Sequence, residues 1–120
     1  MSKIEIKTIL KNKTDIHKYF GKAIKNGNSI IYSDNNISTK IIIDDIISIE
    51  RKKDYYIKLN FQKGKTIKGI YKTKEGNLNI TTETKDIKIK KDSIKIEYNL
   101  IINNVFVDTF CFSLQYTIDR

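Results

Sequence analysis

Residues 93–118 read SIKIEYNLIINNVFVDTFCFSLQYTI, and apolar and polar side chains alternate along them with a period of two. Such alternation is typical of β-strands that bury one face and expose the other. Asn103-Asn104 separates the two alternating runs, at a point where a two-residue hairpin turn needs residues that tolerate positive φ. The stretch therefore predicts a hairpin of strands Ser93–Asn103 and Val105–Ile118, with Tyr98 and Phe110 on the same interior side.

Parity along these two strands also predicts which side chains form the core. Lys95, Glu97 and Asn99 share the solvated face of the first strand. Burial of the opposite face, at about 25 cal/mol per Å² of apolar surface removed from water, should hold the fold together. The predicted interior side chains are Ile94, Ile96, Tyr98, Leu100 and Ile102 of the first strand and Phe106, Phe110, Phe112, Leu114, Tyr116 and Ile118 of the second.

The same period-two pattern, broken by Asn, Asp or Gly, extends over the rest of the chain and predicts one all-β domain spanning residues 1–120. Because so many β-branched strands would leave unpaired edges open to other chains, we expect a small antiparallel closed β-barrel. A two-sheet sandwich is the alternative. The predicted strands are Ile4–Lys11, Asp15–Lys25, Ser29–Asp34, Ser38–Ile43, Ile46–Lys52, Tyr55–Gln62, Lys65–Thr73, Asn77–Lys85, Ile87–Lys90, Ser93–Asn103 and Val105–Ile118.

One segment has a competing helical pattern. Thr14 could cap a helix N-terminus and Gly27 could end it, while Gly21 in the middle argues against one. We predict a strand here, because a lone helix would be isolated in an otherwise strand-patterned chain. The side chains with helical spacing are Ile16, Tyr19, Phe20, Ala23 and Ile24.

Length and composition exclude several classes of protein. The chain has 120 residues and no run of apolar residues long enough to span a bilayer, so we expect no transmembrane segment. Its first residues lack the apolar core of a secretory signal, and we expect a cytoplasmic location. Cys111 has no partner for an internal disulfide and is expected to be a structural thiol.

The net charge of +9 raises the question of an anionic partner. The basic residues are spread over both halves of the chain and nearly all are Lys, whereas sequence-specific readout favours Arg. We therefore do not expect nucleic acid as the main partner. The alternative function is a basic surface, bearing residues such as Lys88, Lys90 and Lys95, that binds RNA, an acidic protein or a membrane surface.

No pattern of catalytic or metal-binding residues is present. His17 is the only histidine, and it flanks an apolar pattern where a hydrogen-bonded structural role is the simpler interpretation. Scattered carboxylates with one His and one Cys show no spacing that would gather three metal ligands. Asp44-Asp45 fits a turn, because adjacent strand positions point to opposite faces. We expect no enzyme, no cofactor and no metal.

From Arg51 onward, the joint spacing of several short motifs resembles the YwiB-like family, small bacterial proteins classed as a domain of unknown function. The resemblance covers roughly residues 3–118 and implies a calycin-type barrel, similar in shape to lipocalins, in the cytoplasm of low-GC bacteria. It implies no activity, because the family has none established. Where the family tends to have a Gly after the Arg, this chain has Lys52-Lys53. The motifs are Arg51, FQKG at 61–64, GIYKTKEG at 69–76 and IKIEYNL at 94–100, preceded by Gly21 and IIYS at 30–33.

The predicted site is the barrel lumen, in which a small apolar or anionic ligand would bind. Tyr71 and Tyr98 bring hydroxyl groups to apolar faces, and Phe110 lies opposite Tyr98. Arg51 shares parity with buried isoleucines and Asp108 with Phe110, so each directs a charge toward the interior. An unpaired buried charge is costly, so both charges either lie at the rim or have a polar partner. The guanidinium of Arg51 could bind Asp108 or an anionic ligand.

Overall fold

The computed structural model of the protein describes residues 1–118, and it forms one antiparallel sheet of twelve strands. Within these residues there is no helix, and hence none long and apolar enough to cross a membrane. The all-β prediction is confirmed. The strands are β1 (Ser2–Lys11), β2 (Ile16–Asn26), β3 (Ser29–Asp34), β4 (Ile37–Ile42), β5 (Ile47–Lys52), β6 (Tyr56–Phe61), β7 (Thr66–Lys68), β8 (Ile70–Thr73), β9 (Gly76–Leu78), β10 (Ile80–Lys90), β11 (Ser93–Ile102) and β12 (Val105–Ile118).

The sheet is an open half-barrel, and the prediction of a closed barrel is wrong. The strand order is β7-β10-β11-β12-β1-β2-β3-β4-β5-β6-β8-β9, so the two ends are different strands and share no ladder. Near these ends, hydrogen bonds outside the ladder join β6 to β10 and to β7. The Thr82 hydroxyl donates to the carbonyl of Asn60, and the Asn60 amide donates to the carbonyl of Lys68 at 3.1 Å.

Gly69 marks the point at which the chain crosses from one edge of the open sheet to the other. The predicted strand Lys65–Thr73 is divided at this residue, and β7 pairs with β10 while β8 pairs with β6. A Cβ atom at Gly69 would lie 2.2 Å from the carbonyl oxygen of Lys58, so only glycine lets the chain cross so close to β6. The residues of the predicted strand Lys65–Thr73 are therefore divided between β7 and β8, and they do not form one continuous strand that would close the barrel.

A β-bulge at Lys85 explains why the sequence pattern wrongly separates the predicted strands Asn77–Lys85 and Ile87–Lys90 at residue 86. The pairs Thr84–Tyr98 and Asp86–Glu97 are consecutive in the β10–β11 ladder, so Lys85 has no partner. The extra residue reverses the parity that follows it. The sequence pattern therefore broke at residue 86, although β10 continues unbroken from Ile80 to Lys90.

The segment with the competing helical pattern is strand β2, as predicted. It pairs with β1 from Ile16 to Lys25 but with β3 only through Ile24–Asn26. Beyond that point side chains span the gap. The rings of Tyr19 and Tyr32 stack with centroids 5.2 Å apart, and His17 Nε2 lies 2.7 Å from Asp34 Oδ2.

The hairpin of β11 and β12 is confirmed, and it turns through Asn103 and Asn104 with φ of 51° and 63°. Tyr98 pairs with Phe110 across it. A second bulge, at Val107, displaces the end of β12, so Phe106 is 57% exposed rather than buried. Ile118, at the other end of the strand, is also exposed, and it lies beyond the last pair of β12 with β11, Gln115–Ser93.

The concave face of the half-barrel holds one core. Its fully enclosed side chains come from both halves of the sheet, with Phe61 and Phe112 the largest. The remaining members of the buried cluster are Ile4, Ile6, Ala23, Ile30, Tyr32, Ile41, Ile47, Ile49, Ile94, Ile96, Tyr98 and Leu114.

Candidate functional site

A cavity of about 230 Å³ lies on the concave face, between β5, β6 and β8 on one side and β10, β11 and β12 on the other. It brings together Arg51, Tyr71, Tyr98 and Phe110, which the sequence nominated as site residues. Asp108, the fifth nominated residue, is not among the lining side chains. The other residues that line the cavity are Leu10, Ile49, Ile57, Leu59, Ile80, Leu100, Ile102 and Phe112.

Arg51 contributes the charge of this cavity. It lies on β5 with the same parity as Ile47 and Ile49, which are buried, and it is itself half-buried. Within residues 1–118 its guanidinium forms no ion pair and no side-chain hydrogen bond. The neighbouring carboxylate of Glu50 points to the other face and accepts a hydrogen bond from the Tyr56 hydroxyl. Arg51 therefore presents an uncompensated cation to an apolar space.

Tyr98 contributes a hydroxyl group. Its ring is 4% exposed and packs against Phe61 and Phe110, with centroids 4.7 and 5.7 Å away. No group in residues 1–118 forms a hydrogen bond with the hydroxyl, which is open to the cavity; the fully buried side-chain oxygen without a partner in these residues is Thr84 Oγ1. Burial raises the pKa of Tyr98 to about 12, against the opposing effect of Arg51. The hydroxyl is therefore a neutral donor at physiological pH.

Two further tyrosines surround this pair. Tyr71 of β8 lines the cavity and meets the ring of Tyr55 edge-on, with centroids 6.5 Å apart. Tyr32 of β3 is buried, and burial raises its pKa, while the charge of Arg51 acts in the opposite direction. Arg51 is thus close enough to Tyr32 and Tyr98 to influence the electrostatics of both.

Asp108 does not provide the counter-charge for Arg51. It lies opposite Leu100 in the β11–β12 ladder, next to the bulge at Val107. Its Oδ1 accepts a hydrogen bond of 2.7 Å from the backbone N–H of Thr109. The bulge and this hydrogen bond hold the carboxylate at the end of the strand.

The residues with catalytic potential lie elsewhere. His17 interacts with Asp34 at the gap between β2 and β3, and Cys111 is a half-buried thiol of β12. Among residues 1–118, no group of three His, Cys, Asp or Glu side chains is arranged to hold a metal ion.

Sequence reasoning missed part of the cavity lining. Parity alone could have found Ile49, which precedes Arg51 by two positions, and it did place Leu100 and Ile102 beside Tyr98. It could not find Ile57, Leu59 and Ile80. These residues lie on strands that face each other across the half-barrel. The alternation within one strand gives no information about which strands face each other.

Comparisons with known proteins support the assignment to a family. The family model of a domain of unknown function, DUF1934, matches residues 4–114. The fold is similar to the crystal structure of the YwiB protein from Bacillus subtilis, with a TM-score of 0.63 and 13% identity, covering 98% of this chain and 91% of that one. No curated protein matches the sequence. The predicted resemblance to YwiB-like proteins is confirmed, and the chain belongs to the DUF1934 family.

Proposed function

We propose that the protein is a binding protein for a small organic carboxylate with an apolar body. The observation that carries the proposal is the combination of an uncompensated Arg51 guanidinium and an unpartnered Tyr98 hydroxyl in one apolar cavity. A carboxylate would accept hydrogen bonds from both groups and neutralise the charge.

The size of the cavity limits the ligand. Its volume of about 230 Å³ is below the ~300–1,000 Å³ of sites for drug-sized molecules. A single-ring or short branched-chain carboxylate suits this space better than a long-chain lipid. Phe110, Ile49 and Leu100 would pack against the apolar body of such a ligand.

The proposal treats the protein as a carrier or sensor and not as an enzyme. The polar groups of the cavity are one guanidinium and two phenols, a set that binds anions but offers no nucleophile with an adjacent base. The concave β-surface would then be used as in calycins, in the bacterial cytoplasm, as the resemblance to YwiB-like proteins implies.

Calorimetric titration with benzoate and its neutral analogue benzyl alcohol tests the proposal. Hydrogen bonds to charged groups contribute about 1.5–3 kcal/mol, so we expect benzoate to bind at least ten-fold more tightly. Arg51→Met should remove this preference, and Arg51→Lys should restore only part of it, because an ammonium lacks the planar fork.

Lys52 offers a matched control on the same strand. Lys52→Met removes a positive charge from the position next to Arg51, on the opposite face of β5. This variant should retain the preference for benzoate. Equal affinities for the two compounds, or an equal loss in both variants, would contradict the proposal.

A further inference from the structure

We propose that the convex face of the half-barrel binds single-stranded nucleic acid, independently of the cavity. The strands β10, β11, β12, β1 and β2 are consecutive in the sheet, and their outward side chains form a continuous surface. We define the basic face as the five lysines Lys7, Lys18, Lys88, Lys90 and Lys95 on this surface.

The ladder register places these lysines in two adjacent rows. One row runs Lys88, Lys95, Ser113, Ile9, Lys18 across five strands. The other row runs Lys90, Ser93, Gln115, Lys7, Phe20 across the same strands. At about 4.8 Å between strands, the rows span roughly 19 Å and lie about 7 Å apart.

Within the described part of the chain, the lysines of the basic face form no direct ion pairs with neighbouring residues, although Lys88 interacts electrostatically with Asp86. None of the five forms an ion pair or a side-chain hydrogen bond within residues 1–118. Two nearby carboxylates are engaged by other lysines: Glu5 binds Lys22 at 3.0 Å and Asp86 binds Lys63 at 3.2 Å. Glu97 borders the face beside Lys95 and Lys88. The surface therefore keeps a net positive potential that suits a phosphate backbone.

Phe20 adds a stacking surface for a base. Its side chain is 76% exposed, and it flanks a recess of about 180 Å³. Lys7, Gln115 and Thr117 line the same recess, together with Glu5, whose carboxylate is paired with Lys22. An aromatic ring beside an amide and a cation can stack with an unpaired base, bind its edge and contact its phosphate.

Other anionic partners fit this face less well. A duplex is disfavoured, because residues 1–118 contain no helix that could enter a groove. An anionic membrane favours apolar side chains between the lysines, whereas three of the four residues there are polar: Ser93, Ser113 and Gln115 beside Ile9. A second copy of the same face would bring like charges together.

Fluorescence anisotropy of the full chain with labelled oligouridylate and oligothymidylate tests the inference. A length of about 12 nucleotides falls within the ~4–16 nucleotides covered by comparable β-sheet modules. We expect saturable binding that prefers single strands over a duplex of the same length. With five phosphate contacts, the logarithm of affinity should fall with the logarithm of salt with a slope of about −3.5.

Variants locate the binding surface. Lys88→Gln with Lys95→Gln should reduce the magnitude of the slope by about 1.4. The control pair, Lys40→Gln with Lys72→Gln, removes the same charge from exposed positions in the other half of the sheet and should leave the slope unchanged. Phe20→Leu should weaken binding about five-fold or more, and Phe20→Tyr should preserve it.

Three outcomes would overturn the inference: no saturable binding, equal effects of the two lysine pairs, or binding only to vesicles of phosphatidylcholine and phosphatidylserine. Arg51→Met should leave nucleic-acid binding unchanged, because Arg51 lies on the concave face. Failure of this inference is therefore distinguishable from failure of carboxylate binding.

Discussion

The concave and convex faces of the sheet have opposite chemistry although they belong to the same strands. On β11, Ile96 is fully buried while Lys95 beside it is exposed. Each face also carries side chains that do not match its general chemistry. The mainly apolar concave face carries Arg51 and the hydroxyl of Tyr98, and the mainly polar convex face carries Phe20. These departures from a strict alternation are where we propose that ligands bind.

The largest difference between the faces should be in stability. Ile96→Ala leaves a void in the core and should lower the free energy of unfolding by about 2–5 kcal/mol. Lys95→Ala, one position away, should change it by less than about 0.5 kcal/mol. Urea denaturation of both variants measures the contrast, and similar losses at the two positions would contradict the assignment of faces.

Tyr98 should make stability sensitive to alkaline pH. Its pKa is raised from 10.0 to about 12, so above pH 10 the unfolded chain loses this proton first and the folded state is disfavoured. The stabilisation is complete below pH 10 and is lost as the pH rises through 12. At about 1.36 kcal/mol per unit, the loss approaches about 2–3 kcal/mol.

Urea denaturation at about pH 9 and about pH 11, on either side of the ordinary tyrosine pKa, measures this effect. Tyr98→Phe should reduce the loss of stability between the two pH values without abolishing it, because burial also raises the pKa of Tyr32. An unchanged loss in Tyr98→Phe would show that the Tyr98 hydroxyl is not buried in its neutral form.

Arg51→Met should change stability and ligand binding in opposite directions. The guanidinium is half-buried without a carboxylate partner, so its replacement by an apolar side chain should raise the free energy of unfolding by about 0.5–1 kcal/mol. The same variant should lose the preference for benzoate. A clear loss of stability would mean that Arg51 is a structural residue.

The smallest expected effect is a change in the pKa of Tyr56 that leaves the pKa of Tyr98 unaltered. Tyr56 lies on the convex face, and its pKa is also raised to about 12, but chiefly by its hydrogen bond to Glu50. Glu50→Gln should lower the pKa of Tyr56 toward its ordinary value and leave that of Tyr98 unchanged. Ultraviolet titration of the tyrosinates, with Tyr56→Phe and Tyr98→Phe to assign the two transitions, measures both values.

Local alternation predicted most strands and the β11–β12 hairpin, because one buried face imposes a period of two on the sequence. The alternation gave wrong predictions where a β-bulge inserts one extra residue into a strand. The bulges at Lys85 and Val107 reverse the parity, and in the sequence such an insertion is visible only as a broken pattern.

Closure could not be predicted from the sequence, because it depends on a contact between distant strands. Gly69 has a strand-like neighbourhood, and only its proximity to the carbonyl of Lys58 shows why the chain crosses there. Of the five residues nominated from the sequence, four line the cavity and Asp108 does not. A charge or a hydroxyl at a buried parity is visible in sequence, as Arg51 and Tyr98 illustrate, whereas its partners across the cavity are not.

The central claim, that the cavity binds an organic carboxylate, is tested most directly by intermolecular nuclear Overhauser effects from the ring protons of bound benzoate. We predict contacts to Tyr98, Phe110 and Ile49, which line the cavity. Contacts confined to Phe20 and the lysines of the basic face would contradict the claim, since benzoate would then be bound by the convex surface.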